Sequence, residues 1–199
     1  MRAELHIRGP IDPDIVSEAY VSEFIGRAKA AGFDALLVCI DSTGGDVHEA
    51  SAIYRALKES GLRTTALIEG VCESSATIVA LACDRVLARP HVSMFFHEPS
   101  SVAVRGKASE LEALAANVRE VRDAFAAIYC ERTGLPRNEA RALMANETRL
   151  NAYEAQRLGF VHHVLGYGET DPAEESAARI DALLADVEDL LRRSREEVS

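Results

Sequence analysis

The chain has 199 residues, of which 48% are apolar and 27% charged, with a formal net charge of -10. That is enough chain for one domain with a sizeable core. The acidic balance counts against nucleic acid and anionic membrane surfaces as partners, because their phosphates repel it. No apolar run approaches the roughly 20 residues of a membrane span, and the opening MRAELHIRG lacks the apolar segment of a signal peptide. Cys39, Cys72, Cys83 and Cys130 are scattered and form no CxxC pair. That pattern argues against a disulfide framework or a zinc site and points to a reducing, cytoplasmic setting.

In chain order, ELHI reads as a short strand. Asp12-Pro13 reads as a helix start, a capping residue followed by proline, with the helix stopping at Gly32. ALLVCI (35–40) is a continuous apolar run, the mark of a strand buried on both faces. The turn DSTGGD follows, then a helix from about Asp46 to Ser60 with Ala50, Ile53, Tyr54 and Leu57 on one face and Gly61 at its end. TTALIE is the next strand. A sharp loop at Gly70 then leads into a short apolar helix around SSATIVALA. RVLA and VSMFF are two more strands, separated by Pro90.

The longest helix is expected over roughly Ala108 to Arg132, striped by Leu111, Leu114, Val118, Val121, Phe125 and Ile128 and broken by Gly134 and Pro136. NAYEAQRLG is a short helix and FVHHVL a last strand. Strands alternating with helices predict a mainly parallel α/β sheet. GYGETDP reads as a linker, so the chain divides into a domain over 1–166 and a tail over 167–199. Ile180, Leu183, Leu184, Val187, Leu190 and Leu191 make that tail an amphipathic helix, packed on its own domain or on another subunit.

Serine hydrolysis needs a hydroxyl nucleophile, a base, a group that orients the base, and backbone N–H donors for the oxyanion. The GxSxG elbow is absent, but another arrangement is available. Ser74 lies at a helix start, where free N–H groups and the helix dipole favour developing negative charge. The backbone N–H of Ser75 is one candidate oxyanion donor, and the pair Gly44-Gly45 offers another. His97 ends an apolar strand, at the sheet edge where α/β folds bind ligands. Taken singly, each has an ordinary reading: a helix cap, a turn, a structural histidine. Cys72 reads as packing. The six histidines form no HExxH, and no GxxxxGK phosphate loop occurs, so neither a metal nor a nucleotide cofactor is expected.

Order and spacing add to this. IDSTGGDVHEASAIYRAL, EGVCESSATIVALACDRV, MFFHEP and ETRLNAYEAQRLGFVHHVL together resemble the Clp-type serine peptidases from about Leu5 to Leu165. The matching features are a strand ending in a glycine pair (Gly44-Gly45), a G-x-x-x-S (Gly70 to Ser74), an apolar strand ending in H-x-P (His97 to Pro99), and N-A-x-E-A-x-x-x-G (Asn151 to Gly159).

The resemblance implies a Clp/crotonase-type spiral of repeated β-β-α units with a protruding handle helix, the long helix from Ala108. It implies a ring-forming homo-oligomer acting on peptides or unfolded proteins. It also implies Ser74 as nucleophile, His97 as base, and the N–H groups of Gly45 and Ser75 as oxyanion hole. The third position, usually aspartate, falls on Glu147, with Asn146 a weaker candidate. The pattern ETxxxA is similar to that of the Clp-like peptidases of phage heads.

Two departures stand out. Cys72-Glu73 precede the nucleophile, and Ser75-Ala76 follow it, where the family has two alanines and Met-Gly. Glu73 is expected to point away from the Ser74 side chain. The pore-lining N-terminal segment of housekeeping members has no counterpart before the first strand. The expected function is therefore an ATP-independent or externally powered serine endopeptidase, with an unfoldase partner in doubt. A crotonase-like acyl-CoA enzyme and a non-catalytic ring-forming subunit stand as alternatives.

Overall fold

A computed structural model describes residues 1–100, 105–166 and 168–169. The chain divides into two units, Met1–Val164 and Leu165–Ser199. One expected feature lies outside the described residues, the C-terminal amphipathic helix.

The first unit is a mainly parallel sheet dressed with helices. Strand β1 (Arg2–Arg8) alternates strictly, with Ala3, Leu5 and Ile7 inward and Arg2, Glu4, His6 and Arg8 on the other face. β2 (Ala35–Ser42) is the continuous apolar run and pairs in parallel with β1. Between them runs α1 (Glu18–Ala30), which starts later than the Asp12-Pro13 signal suggests. Asp12 Oδ1 caps a turn instead, accepting from the N–H groups of Asp14 at 2.8 Å and Ile15 at 2.7 Å. Ser17 caps the helix itself. A short aspartate serves a turn and a helix start by the same local bond, so the dipeptide alone does not distinguish them.

Helix α2 (Val47–Lys58) is capped by Asp46, as expected. β3 (Arg63–Glu73) is the spine of the molecule, and it corrects the expected loop at Gly70. The strand runs straight through that glycine. Its first half pairs with β2 and with β4 (Arg85–Ala88), and its last three residues pair with β5 (Ser93–Phe96). Gly70 is needed because Asp41 crosses there. A Cβ would lie 2.2 Å from Asp41 Oδ1, and that oxygen accepts from the Val71 N–H at 2.9 Å.

Helix α3 (Ala76–Ala82) is wholly buried. The long helix α4 (Ala108–Thr133) matches its expected limits, but only part of its stripe is covered. Phe125, Ala126 and Tyr129 are buried, whereas Leu111 is exposed. Tyr129 packs with Phe96 and Phe160 in an aromatic cluster with centroids 4.6 to 5.6 Å apart. The Tyr129 hydroxyl meets Thr77 Oγ1 at 2.7 Å, tying α4 to α3.

Two elements were not expected. Helix α5 (Arg137–Ala145) buries Ala140 and Met144, and β6 (Thr148–Asn151) pairs antiparallel with β5. Asn151 then caps α6 (Ala152–Arg157) with the box partner Glu154, and β7 (His163–Val164) joins β4. The path across the sheet is β1-β2-β3-β4-β7, with β5 and β6 extending from the far end of β3. No helix among the described residues is long and apolar enough to cross a membrane.

Candidate active site

Where β3 runs out, its backbone turns sharply. Ser74 has φ 54°, in the left-handed region that favours glycine. Three bonds hold it there. Its N–H donates to Phe95 O at 2.8 Å, and its carbonyl accepts from Thr77 N at 3.0 Å and Thr77 Oγ1 at 2.6 Å. The turn delivers the hydroxyl to the end of the neighbouring strand. There His97, the residue after β5, brings Nε2 to 2.7 Å from Ser74 Oγ. For Ser74 to donate in this bond, the ring must carry its proton on Nδ1. The Phe95 ring stacks on the imidazole, centroids 5.5 Å apart and planes at 17°.

The glycine pair packs against this turn. A Cβ on Gly44, at φ 78°, would lie 2.5 Å from Glu73 O and 2.9 Å from both Ser74 Cβ and Ser75 N. Only glycine lets the loop after β2 come so close. Gly45 bridges to Ile11 on one side: Asp46 N donates to Ile11 O at 2.8 Å, and Ile11 N donates to Gly44 O at 2.9 Å. The N–H of Gly45 itself donates to Ser75 Oγ at 2.9 Å. The two sequence-derived oxyanion residues are thus neighbours, but the side chain of one occupies the donor of the other.

Glu147 lies at the opposite flank of β5. It has φ 49°, its N–H closes the end of α5 on Met144 O at 3.1 Å, and it directly precedes β6. Phe96 pairs with Thr148 at the end of the antiparallel ladder, and His97 and Glu147 are the residues adjoining that last pair. The Glu147 side chain is exposed and makes no hydrogen bond or ion pair with the described residues. Asn146, the weaker candidate, is exposed at the C-cap of α5.

Ser74 and Glu147 are the two non-glycine residues with positive φ among the described residues. Strain of this kind costs about 1–3 kcal/mol per residue and gathers at functional sites. Here it flanks His97 on both sides.

The carboxylate of the residue before Ser74 is engaged elsewhere. Glu73 Oε1 accepts from Arg149 Nη1 at 2.5 Å, and the same nitrogen donates to Ser93 Oγ at 3.0 Å. Sequence reasoning missed Arg149. The register of Glu73 to Phe95 and Phe95 to Arg149 across three strands was not readable. Cys72 is fully buried at the preceding position, and burial pushes its thiol far above the ordinary range, with the Glu73 charge adding to the shift. His6, Cys39 and Glu69, distant in sequence, bring their ligand-type atoms within 4.8 Å of one another on the outer sheet face. Burial raises the Cys39 thiol to about 11, and Arg8 pairs with Glu69.

The family model for Clp protease matches residues 4–167. A Clp protease proteolytic subunit from Pleurastrum terricola is 30% identical over 157 residues, covering 78% of this chain and 79% of that protein. One from Chara vulgaris is 28% identical over 128 residues, covering 63% of this chain and 58% of the relative. The chain thus spans only about three-fifths to four-fifths of these relatives' lengths. Among solved structures, a ClpP1 mutant from Listeria monocytogenes superposes with a TM-score of 0.74 over 82% of this chain and 91% of that one, at 19% identity, a likeness of fold. With the sequence match over nearly the whole first unit, the chain belongs to the Clp protease family.

Proposed function

We propose that this protein is a serine peptidase of the Clp type. The observation that carries the reading is the 2.7 Å bond between His97 Nε2 and Ser74 Oγ on a strained, fully hydrogen-bonded turn. In this mechanism His97 takes the Ser74 proton as Oγ attacks a peptide carbonyl carbon. The tetrahedral oxyanion lies against the N–H groups of Ser75 and Gly45, where removal of one such donor costs about 10²–10³-fold in rate. His97 passes its proton to the leaving amine. Water, deprotonated by His97, then hydrolyses the acyl-enzyme.

Two parts must shift for this cycle to run. Ser75 Oγ has to release the Gly45 N–H to the oxyanion, and the Glu147 carboxylate has to reach Nδ1 of His97 to orient the ring. Glu147 is the third member on its register position and its strained backbone. The uncovered N-terminal half of α4 supports assembly of a homo-oligomeric ring through that helix. We read the substrate as a peptide or unfolded protein, the compartment as cytoplasmic, and the enzyme as either ATP-independent or externally powered. The Ser–His bond and the family match favour this reading over an acyl-CoA enzyme. The occupied Gly45 donor is the observation that favours a non-catalytic subunit as the second reading.

The test is hydrolysis of a fluorogenic peptide library by the assembled protein. Turnover that Ser74→Ala abolishes is expected. Turnover unaffected by Ser74→Ala refutes the nucleophile, and no turnover in any assembled state supports the second reading.

A further inference from the structure

The residue before Ser74 is a carboxylate, a standing negative charge near a reaction that builds another. The Glu73 side chain is only 18% exposed, so water screens it poorly. Three strands nonetheless converge to neutralise it. Glu73 on β3 is paired across the ladder with Phe95 on β5, and Phe95 with Arg149 on β6. Arg149 ion-pairs with Glu73 at 2.5 Å, is anchored by Ser93 Oγ at 3.0 Å, and lies with its guanidinium 4.6 Å from the Phe95 ring centroid. Phe95 in turn stacks on His97. One cation therefore touches both the carboxylate next to Ser74 and the ring that supports the base.

We propose that Arg149 is a positioning residue for the Ser74–His97 pair: it neutralises the Glu73 carboxylate one residue before Ser74 and holds the Phe95 ring on which His97 rests. This rests on the peptidase reading above. Arg149 is half exposed, so the ion pair as such contributes little to stability. Its weight lies in what its removal leaves behind, an uncompensated and poorly hydrated carboxylate next to the reacting serine. The planar guanidinium is suited to bonding a carboxylate while lying over an aromatic face, which an ammonium does less well.

The test compares wild type with Arg149→Ala, Arg149→Lys, Glu73→Gln and the double variant Glu73→Gln/Arg149→Ala. Two quantities are read: the rate of Ser74 acylation by a fluorophosphonate, and kcat and KM on a fluorogenic peptide. Arg149→Ala is expected to slow acylation and kcat by about tenfold with KM held within about twofold, the mark of an interaction made in the transition state. Removing the carboxylate as well should return the double variant to within about threefold of wild type, a coupling that a merely structural role does not produce. Arg149→Lys should fall between. Glu73→Gln alone, which keeps Arg149 on Ser93 and Phe95, should react at the wild-type rate or faster.

A double variant as slow as Arg149→Ala, an Arg149→Ala indistinguishable from wild type, or a Glu73→Gln slowed tenfold each overturns the proposal. Absence of any label on wild-type Ser74 is a different failure. It removes the peptidase reading, and this proposal with it.

Discussion

The two strained turns on either side of His97 are built alike and finished differently. Each ends an element with a non-glycine residue in the left-handed region, Ser74 after β3 and Glu147 after α5. Each directly adjoins a strand that pairs with β5. The Ser74 turn is closed by three backbone-directed bonds, packed against Gly44, and bonded through its side chain to His97. The Glu147 turn has one backbone bond, and its carboxylate is exposed. The contrast is between a side chain already bonded and one that is not. Ser74 and His97 meet where β3 and β5 end. Glu147 adjoins β6 with its carboxylate exposed and without a hydrogen bond or ion pair among the described residues.

The largest effects should fall on the finished turn. Ser74→Ala or His97→Ala should each lower kcat by about 10⁴-fold or more, because nucleophile and base act as a unit. A smaller loss for either, measured on an assembled and folded protein, would break the comparison at its stronger arm.

Glu147 is the next test. Glu147→Gln should lower kcat by about 10–10²-fold while KM stays within about twofold, since the orienting group acts in the transition state. Glu147→Gly should show the same rate loss, yet its stability should be unchanged or higher by about 1 kcal/mol, because glycine accepts the left-handed backbone without strain. Chemical denaturation beside peptide turnover separates the two effects. Wild-type turnover in both variants would show that the strain at Glu147 serves only the turn.

A smaller gain is expected at Ser75. Ser75→Ala removes the oxygen that holds the Gly45 N–H and leaves the backbone donor of residue 75 in place. Turnover should rise a few-fold, by roughly the free energy of one neutral hydrogen bond. A fall of about tenfold would assign the Ser75 hydroxyl a supporting role instead.

The smallest effect concerns pH. The Nδ1 of His162 accepts from the Val86 N–H at 3.0 Å. Burial, then the charges of Arg132 and Arg85, lowers its pKa from the ordinary 6.5. Protonation also takes away the lone pair that Val86 uses. The unfolded chain therefore binds this proton at a higher pH than the folded one, and stability falls as pH drops below about 6.5. Tm should decline by about a degree or two between pH 7.5 and 5.5, and His162→Gln should flatten that slope. An unchanged slope would contradict the assignment.

Much of this site was legible in the sequence because it is local. The apolar run ahead of Gly44, the short helix after Ser74 and the apolar strand ahead of His97 each announce an element, and their order carries the family resemblance. What was hidden depends on register. β6 has four residues and one buried side chain, Leu150, too little alternation to recognise, yet it brings Glu147 to the end of the β5 ladder and Arg149 against Glu73. Gly70 read as a turn, whereas its lack of a side chain serves the crossing of Asp41. The stripe on α4 reported amphipathicity correctly. Periodicity does not say which turns are covered, and burial gathers at Phe125, Ala126 and Tyr129, where α4 meets the aromatic cluster.

The central claim is that Ser74, activated by His97, is the nucleophile of this Clp family member. Its most direct measurement is the intact mass and peptide map of the protein after treatment with a fluorophosphonate, beside a known serine peptidase as control. The account predicts one adduct per chain, on Ser74, absent in Ser74→Ala and strongly slowed in His97→Ala. No adduct while the control is labelled, or an adduct on another residue, would contradict it.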